Sequence, residues 1–256
     1  MIDHRRTVCC ATLLALAAAA SPLRAQPRDE TKPIAPIEVL TCHFAQGKGE
    51  GDLAGLATAF NQWMEKYTAP EYAAYALLPS VRSKDIDFDL AWVGVWPDGI
   101  TMGKSMAHYF DHGAELGPAF GSVMSCDTNT NFSTVTVRPP KQPGRFGPVE
   151  VTTCTVRLDA SLDDALQAVH EWVDYTGTFG STAAHWLLFP AYGERSAATY
   201  NFKWAIGYDS YEAFGREYDQ ITNGNGLDRY NELFTALLRC DNPRLYKVRQ
   251  IRPPHG

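Results

Sequence analysis

Pro36-Ile37-Glu38-Val39-Leu40-Thr41-Cys42 returns 112 residues later as Pro148-Val149-Glu150-Val151-Thr152-Thr153-Cys154, with five of the seven positions identical. Other signals repeat at nearly the same interval. Trp92 and Trp204 keep the offset of 112, and Leu77-Leu78-Pro79 matches Leu188-Phe189-Pro190 at 111. Cys126-Asp127 matches Cys240-Asp241 at 114, as does Val137-Arg138-Pro139-Pro140 with Ile251-Arg252-Pro253-Pro254. The order is collinear, so the chain reads as one unit written twice. The period is too long for a solenoid repeat and suits two subdomains. We place the first half at 35–140, a linker at 141–147 and the second half at 148–254; the linker's Pro143, Gly144 and Gly147 mark the boundary.

Each half reads β-α-β-β-α-β. In the second, Val149 to Val156 is rich in Val and Thr, as strands are. Ser161 with Asp164 three residues on is a capping box, and Leu162, Ala165, Leu166, Val169, Trp172 and Val173 follow at helical spacing. His185 to Phe189 and Tyr200 to Ile206 are strands, predicted antiparallel across the intervening loop. A helical stripe starts at Tyr211, Phe214 and Tyr218, breaks at Asn223-Gly224-Asn225-Gly226, and resumes through Tyr230, Leu233, Phe234, Leu237 and Leu238. Leu245 to Ile251 is the last strand. In the first half, Leu53, Leu56, Phe60, Trp63 and Met64 mark the first helix and Phe88 to Trp96 the third strand. Gly103, Gly113, Gly117 and Pro118 predict a second helix in pieces.

A β-α-β-β-α-β unit sets its last strand antiparallel beside its first. Cys42 ends strand one and Cys126 precedes strand four; Cys154 and Cys240 repeat the arrangement. The predicted bridges are therefore Cys42–Cys126 and Cys154–Cys240, the rivals being buried thiols or a redox site. No Cys-x-x-Cys is present.

The N-terminus reads as a cleaved secretory signal over residues 1–25. Arg5-Arg6 is a basic start, Val8 to Ala20 an apolar run, and Leu23-Arg24-Ala25 a small-residue cleavage context. The paired arginines admit twin-arginine export; an ordinary n-region is preferred. The predicted location is periplasmic or secreted, with no membrane span, because the run is shorter than about 20 residues. Cleavage removes three arginines and one aspartate, leaving 20 basic and 28 acidic groups, a net of −8. An acidic chain without a basic run is a poor nucleic-acid or anionic-membrane binder. The composition, 45% hydrophobic and 20% charged, is that of a folded domain.

The element order, the size of each half and the segment Trp204-Ala205-Ile206-Gly207-Tyr208-Asp209-Ser210-Tyr211-Glu212-Ala213-Phe214 resemble the dimeric α/β-barrel superfamily, particularly its antibiotic-biosynthesis-monooxygenase-like and stress-responsive members. The resemblance implies an α+β fold in which two ferredoxin-like sheets pack face to face as a barrel within one molecule. Helices would lie outside and a cavity between the sheets. The superfamily includes cofactor-free monooxygenases, haem enzymes and isomerases, so the fold alone assigns no reaction.

In such a barrel both strand faces are buried, and polar residues in strands become candidates. His43 ends strand one, His185 starts strand two, and Asn201 and Lys203 share one face of strand three. Trp92 and Trp204 take the opposite face; period-two alternation leaves open which face looks inward. If the polar face does, His185, Asn201 and Lys203 hold an anionic or carbonyl-bearing ligand, with His185 as acid or base. The bland alternative is polar residues at strand ends and tryptophans in the core. His108 and His112, four apart beside Asp111, are weak metal or haem candidates, more simply a solvated helix face. No nucleotide, zinc-protease or serine-hydrolase motif is present, and no cofactor is expected. The leading expectation is an exported small-molecule-binding or accessory protein of the cell envelope that uses the inter-sheet cavity. The alternatives are a cofactor-independent monooxygenase or isomerase acting on a small hydrophobic oxygenated substrate, or a haem-binding barrel.

Overall fold

The strands close into a ring. A computed structural model of the protein describes residues 34–67, 71–81, 83–84, 86–142, 144, 146–194 and 200–254. The signal segment read at 1–25 lies outside the described residues. The first half runs β1 (Ile34–Phe44), α1 (Leu53–Lys66), β2 (Ala73–Val81), β3 (Leu90–Val95), α2 (Gly99–His112), α3 (Gly117–Gly121) and β4 (Met124–Arg138). The second runs β5 (Pro148–Val156), α4 (Leu162–Thr178), β6 (Ala184–Tyr192), β7 (Phe202–Gly207), α5 (Tyr211–Asn223), α6 (Gly226–Phe234), β8 (Leu238–Cys240) and β9 (Arg244–Arg252).

The first four strands lie in the order β4-β1-β3-β2, the others in the order β9-β5-β7-β6, with all pairings antiparallel. The sheets then join edge to edge: β4 pairs with β6, and β2 with β9. The result is a closed eight-strand barrel, with short β8 beside the end of β5. Closure leaves no bare edge strands in the ring, which removes an aggregation hazard. The family resemblance implied face-to-face packing; it did not imply these hydrogen-bonded seams.

Each sheet carries helices on its outer face. α1 buries Leu53, Leu56, Phe60, Trp63 and Met64, the stripe its spacing predicts. α4 begins at Ser161, whose hydroxyl accepts the Asp164 N–H, and buries Ala165, Val169, Trp172 and Val173. Asp98 caps α2 by accepting the Thr101 N–H at 2.8 Å. The second helical region of the first half is broken as predicted: α2, a 3-10 turn at Gly113–Leu116, then α3 with Pro118 in its first turn. In the second half the break falls between Asn223 and Gly226. One expectation is corrected: Leu237 and Leu238 do not continue the helix. α6 stops at Phe234, and Leu238 opens β8, because Cys240 must lie opposite Cys154.

Both disulfides form as predicted. Cys42 and Cys126 are register partners on β1 and β4, with S–S 2.07 Å; Cys154 and Cys240 are partners on β5 and β8, with S–S 2.10 Å. Two arginines, Arg138 half-buried and Arg252 buried, tie the halves reciprocally. Arg138, ending β4, donates to the carbonyls of Val173 on α4 and of Ser181 (3.2 Å). Arg252, ending β9, donates to Asn61 Oδ1 on α1 at 2.9 Å. They occupy matching positions in the repeated Arg-Pro-Pro motif.

Candidate functional site

Alternation decides what lines the barrel. On β1, Ile37, Val39 and Thr41 face in; on β3, Ala91, Val93 and Val95 do so. From β5 come Val149, Val151 and Thr153, and from β7 Lys203 and Ala205. An eight-strand barrel is just wide enough for side chains to fill its interior. Here Ala73, Ala91 and Ala205 are too short to do so, and a cavity of about 520 Å³ remains. Its wall is otherwise aliphatic and aromatic, with Tyr75, Phe132, Trp186, Leu188 and Tyr246 among the larger contributors.

The two ends of the cavity differ. In a closed ring of eight antiparallel pairings, β1 and β5 run the same way, so Thr41 and Thr153 lie towards one end. Lys203 is the register partner of Thr153, and Arg244 is the first residue of β9. Near the other end the connecting segment folds in. Phe146 packs edge-on against Tyr75 and Trp186, with ring centroids 5.7 Å apart in both pairs. Pro140, Gly144 and Pro254 complete that wall.

The predicted site residues do not assemble as one group. Lys203 alone of the six ligand candidates lines the cavity. His185 is fully buried, but on the face opposite its neighbours Trp186 and Leu188, which look inward. Asn201 lies just before β7, where its Oδ1 accepts the Val156 N–H at 2.7 Å. His43 stands half-exposed at the end of β1, with Nε2 3.2 Å from Asp127 and Nδ1 3.7 Å from Asp89. Trp92 and Trp204 belong to the outer cores beneath the helices. The joint ligand site of His185, Asn201 and Lys203 is therefore corrected: an odd number of positions separates His185 from the inward residues of β6, which turns it away.

The outer faces hold titratable groups that the sequence reading passed over. In the first half Trp92 Nε1 donates to Tyr72 Oη (2.9 Å), which donates to Glu38 Oε1 (2.6 Å). Burial raises the Glu38 pKa against these hydrogen bonds and one to Asn129. Gly94 makes room for the chain, since a Cβ there would lie 2.1 Å from the Tyr72 hydroxyl. In the second half Glu150 takes the position of Glu38. Burial, then the charge of Glu217, pushes its pKa up to about 7, and Tyr208 donates to it at 3.4 Å. Glu217 is buried, accepts from Ser181, and is raised chiefly by burial against the favourable charge of Arg138. Burial, then Arg138, brings His185 down to about 3. One signal was available in sequence: Glu38 and Glu150 stand at matching positions inside two similar strand segments.

Of the described histidines, His108, His112 and His185 are not placed to hold a haem or a metal. His108 and His112 lie on α2, which buries no residue, and His112 stacks on Tyr67 with centroids 4.2 Å apart. His185 is enclosed, but Trp204 Nε1 donates to its Nδ1 at 3.2 Å. An indole N–H can only donate, so the ring's own proton sits on Nε2. That nitrogen has no hydrogen-bond partner and offers no lone pair to iron. Among the described residues no cluster of three or more His, Cys, Asp or Glu is placed to hold a metal ion.

No protein-family model matches the chain. No curated protein matches it either. Solved structures do. A monooxygenase candidate from Fusobacterium nucleatum is similar with a TM-score of 0.51 and 10% identity, over 87% of this chain and 95% of that one. A variant chlorite dismutase from Candidatus Nitrospira defluvii is similar with a TM-score of 0.51 and 9% identity, over 85% of this chain and 92% of that one. The fold is thus that of the dimeric α/β-barrel proteins, here with both ferredoxin-like sheets supplied by a single chain. Identity this low conveys the fold and not the chemistry.

Proposed function

We propose that this is an exported small-molecule-binding protein of the cell envelope, whose ligand occupies the barrel cavity and leaves it unchanged. The observation that carries the reading is the cavity itself: about 520 Å³, inside the usual range for ligand sites, with walls almost wholly apolar. Two disulfides suit an oxidising compartment, and no helix among the described residues is long and apolar enough to cross a membrane. We read residues 1–25 as the export signal, and 35–140 and 148–254 as two copies of one ancestral unit joined at 141–147.

An enzymatic reading has one observation in its favour. Glu150 and Glu217 form a buried pair with raised proton affinity, a pattern common at catalytic sites. Both side chains lie behind the sheet rather than on the cavity wall, so binding without turnover is the better account.

A homologous series of 1-alkanols tests it by calorimetry. Each added methylene should tighten binding about three- to fourfold, from roughly 0.8 kcal/mol per buried CH₂, until the cavity is full and the gain stops. Absence of binding across the series, or a gain that never levels off, contradicts a binding site of this volume.

A further inference from the structure

The charged groups of the cavity wall are of one sign. Lys203 and Arg244 are its only charged side chains among the described residues, and both are cationic. Arg244 is fixed by Asp241, 2.7 Å from its Nη1, and Asp241 also accepts the Thr153 N–H at 2.8 Å. Lys203 lies with Nζ 4.3 Å from the centre of the Tyr200 ring. The nearby acids, Glu194 and Asp241, act on Lys203 by charge but do not line the cavity. Glu194 is held by the Tyr200 hydroxyl. Burial, and to a smaller extent Arg244, weakens the hold of Lys203 on its proton, against the pull of Glu194 and Asp241. The chain thus keeps a half-buried ammonium on the wall of an apolar cavity, with its acidic neighbours off that wall.

We propose that the cavity takes an apolar molecule ending in a carboxylate, with the carboxylate on Lys203, seconded by Arg244, and the apolar body directed towards Phe146. This rests on the reading of the cavity as a binding site. The chemistry follows from the ends of the barrel. One presents cations and the hydroxyls of Thr41 and Thr153; at the other, the described lining residues include Phe146, Trp186, Tyr75, Pro140 and Pro254, and none of them is charged. A ligand carboxylate would meet Lys203 on the cavity side and accept a charge-assisted hydrogen bond from it.

The experiment uses three probes of one length, decanoate, 1-decanol and decylamine, titrated calorimetrically into the disulfide-bonded protein. Decanoate should bind about ten- to hundredfold more tightly than decanol, from the usual worth of a hydrogen bond to a charged group. Decylamine should bind more weakly than decanol. Lys203→Met should remove the advantage of decanoate over decanol, with an unchanged circular dichroism spectrum showing that the variant is folded; Lys203→Gln is read by the same criterion if the first variant does not fold. Lys203→Arg should retain the advantage. Equal affinity for decanoate and decanol in the parent, or an advantage that survives Lys203→Met and Lys203→Gln, overturns the assignment and leaves the cavity reading standing. If none of the three probes binds, the cavity reading fails first and this inference falls with it.

Discussion

The two halves place a tryptophan and a glutamate at matching positions and finish the connection differently. In the first half a donor chain runs from Trp92 through Tyr72 to Glu38 with distances of 2.9 and 2.6 Å. In the second, the Trp204 Nε1–H donates a hydrogen bond to His185 instead, and Glu150 accepts one from Tyr208 at 3.4 Å. One network is complete; the other leaves His185 Nε2 unpartnered and two carboxyl groups, Glu150 and Glu217, near each other. Identical strand positions thus do not fix the electrostatics behind a sheet. Those depend on the second residue of each pair: Tyr72 enters from the start of β2, whereas Tyr208 follows β7.

The largest effect should be the one the halves share. The bridges span sequence separations of 84 and 86 residues. Replacing either pair with alanine should cost about 4–5 kcal/mol as an upper figure, on the chain-entropy account. Denaturant unfolding of the two double variants should give similar losses; a difference above about 2 kcal/mol would mean that one half folds without its bridge.

The next experiment separates the halves by pH. The folded pKa of Glu150 lies above its unfolded value, so its contribution is complete below about 4.5 and is lost as pH rises through about 7. Glu150→Gln should therefore lie within about 1 kcal/mol of the parent at pH 5 and be more stable by up to about 3 kcal/mol at pH 8. His185 has the opposite sign: its folded pKa is depressed, so its contribution is lost as pH falls from about 6.5 towards 3. In the parent the two slopes oppose each other between about pH 4.5 and 6.5; in Glu150→Gln the acid side should steepen. A parallel pair of stability curves would show that Glu150 is ordinary.

Tyr72→Phe and Tyr208→Phe sharpen the contrast in hydrogen bonding. The first leaves a buried indole N–H and a buried carboxyl without their shared partner and should cost about 2 kcal/mol. The second removes one long contact and should cost under about 1 kcal/mol. Equal losses in urea melts would contradict the complete-versus-incomplete distinction. Smallest of all, Asp127→Asn, at the half-exposed His43 pair, should change stability by less than about 0.5 kcal/mol.

Much of the fold was legible because it depends on local signals. The Ser161 cap, the stripe of α1, the break at Gly224 and the pairing of Cys42 with Cys126 all follow from residues that act over a few positions or through one topological rule. The site was less legible for a physical reason. Alternation with period two separates Lys203 from Trp204 but does not say which one meets the helices; that depends on where the other sheet lies. His185 went to the wrong group for the same reason. Arg244, Tyr246 and Trp186 were missed because an inward face is recognisable only once the ring closes through β4–β6 and β2–β9. Phe146 read as part of a boundary, yet it forms one end of the cavity.

The central claim is that the protein's apolar binding surface is inside the barrel. Its competitor is outside: Ile100, Tyr109 and Phe110 of α2 are 72%, 57% and 76% exposed. Photolabelling with a diazirine-bearing 1-decanol, followed by peptide mapping, distinguishes the two directly. Labels on cavity residues such as Val93, Leu188 and Ala205, displaced by unlabelled decanol, are the result this account predicts. Labels confined to α2 would contradict it.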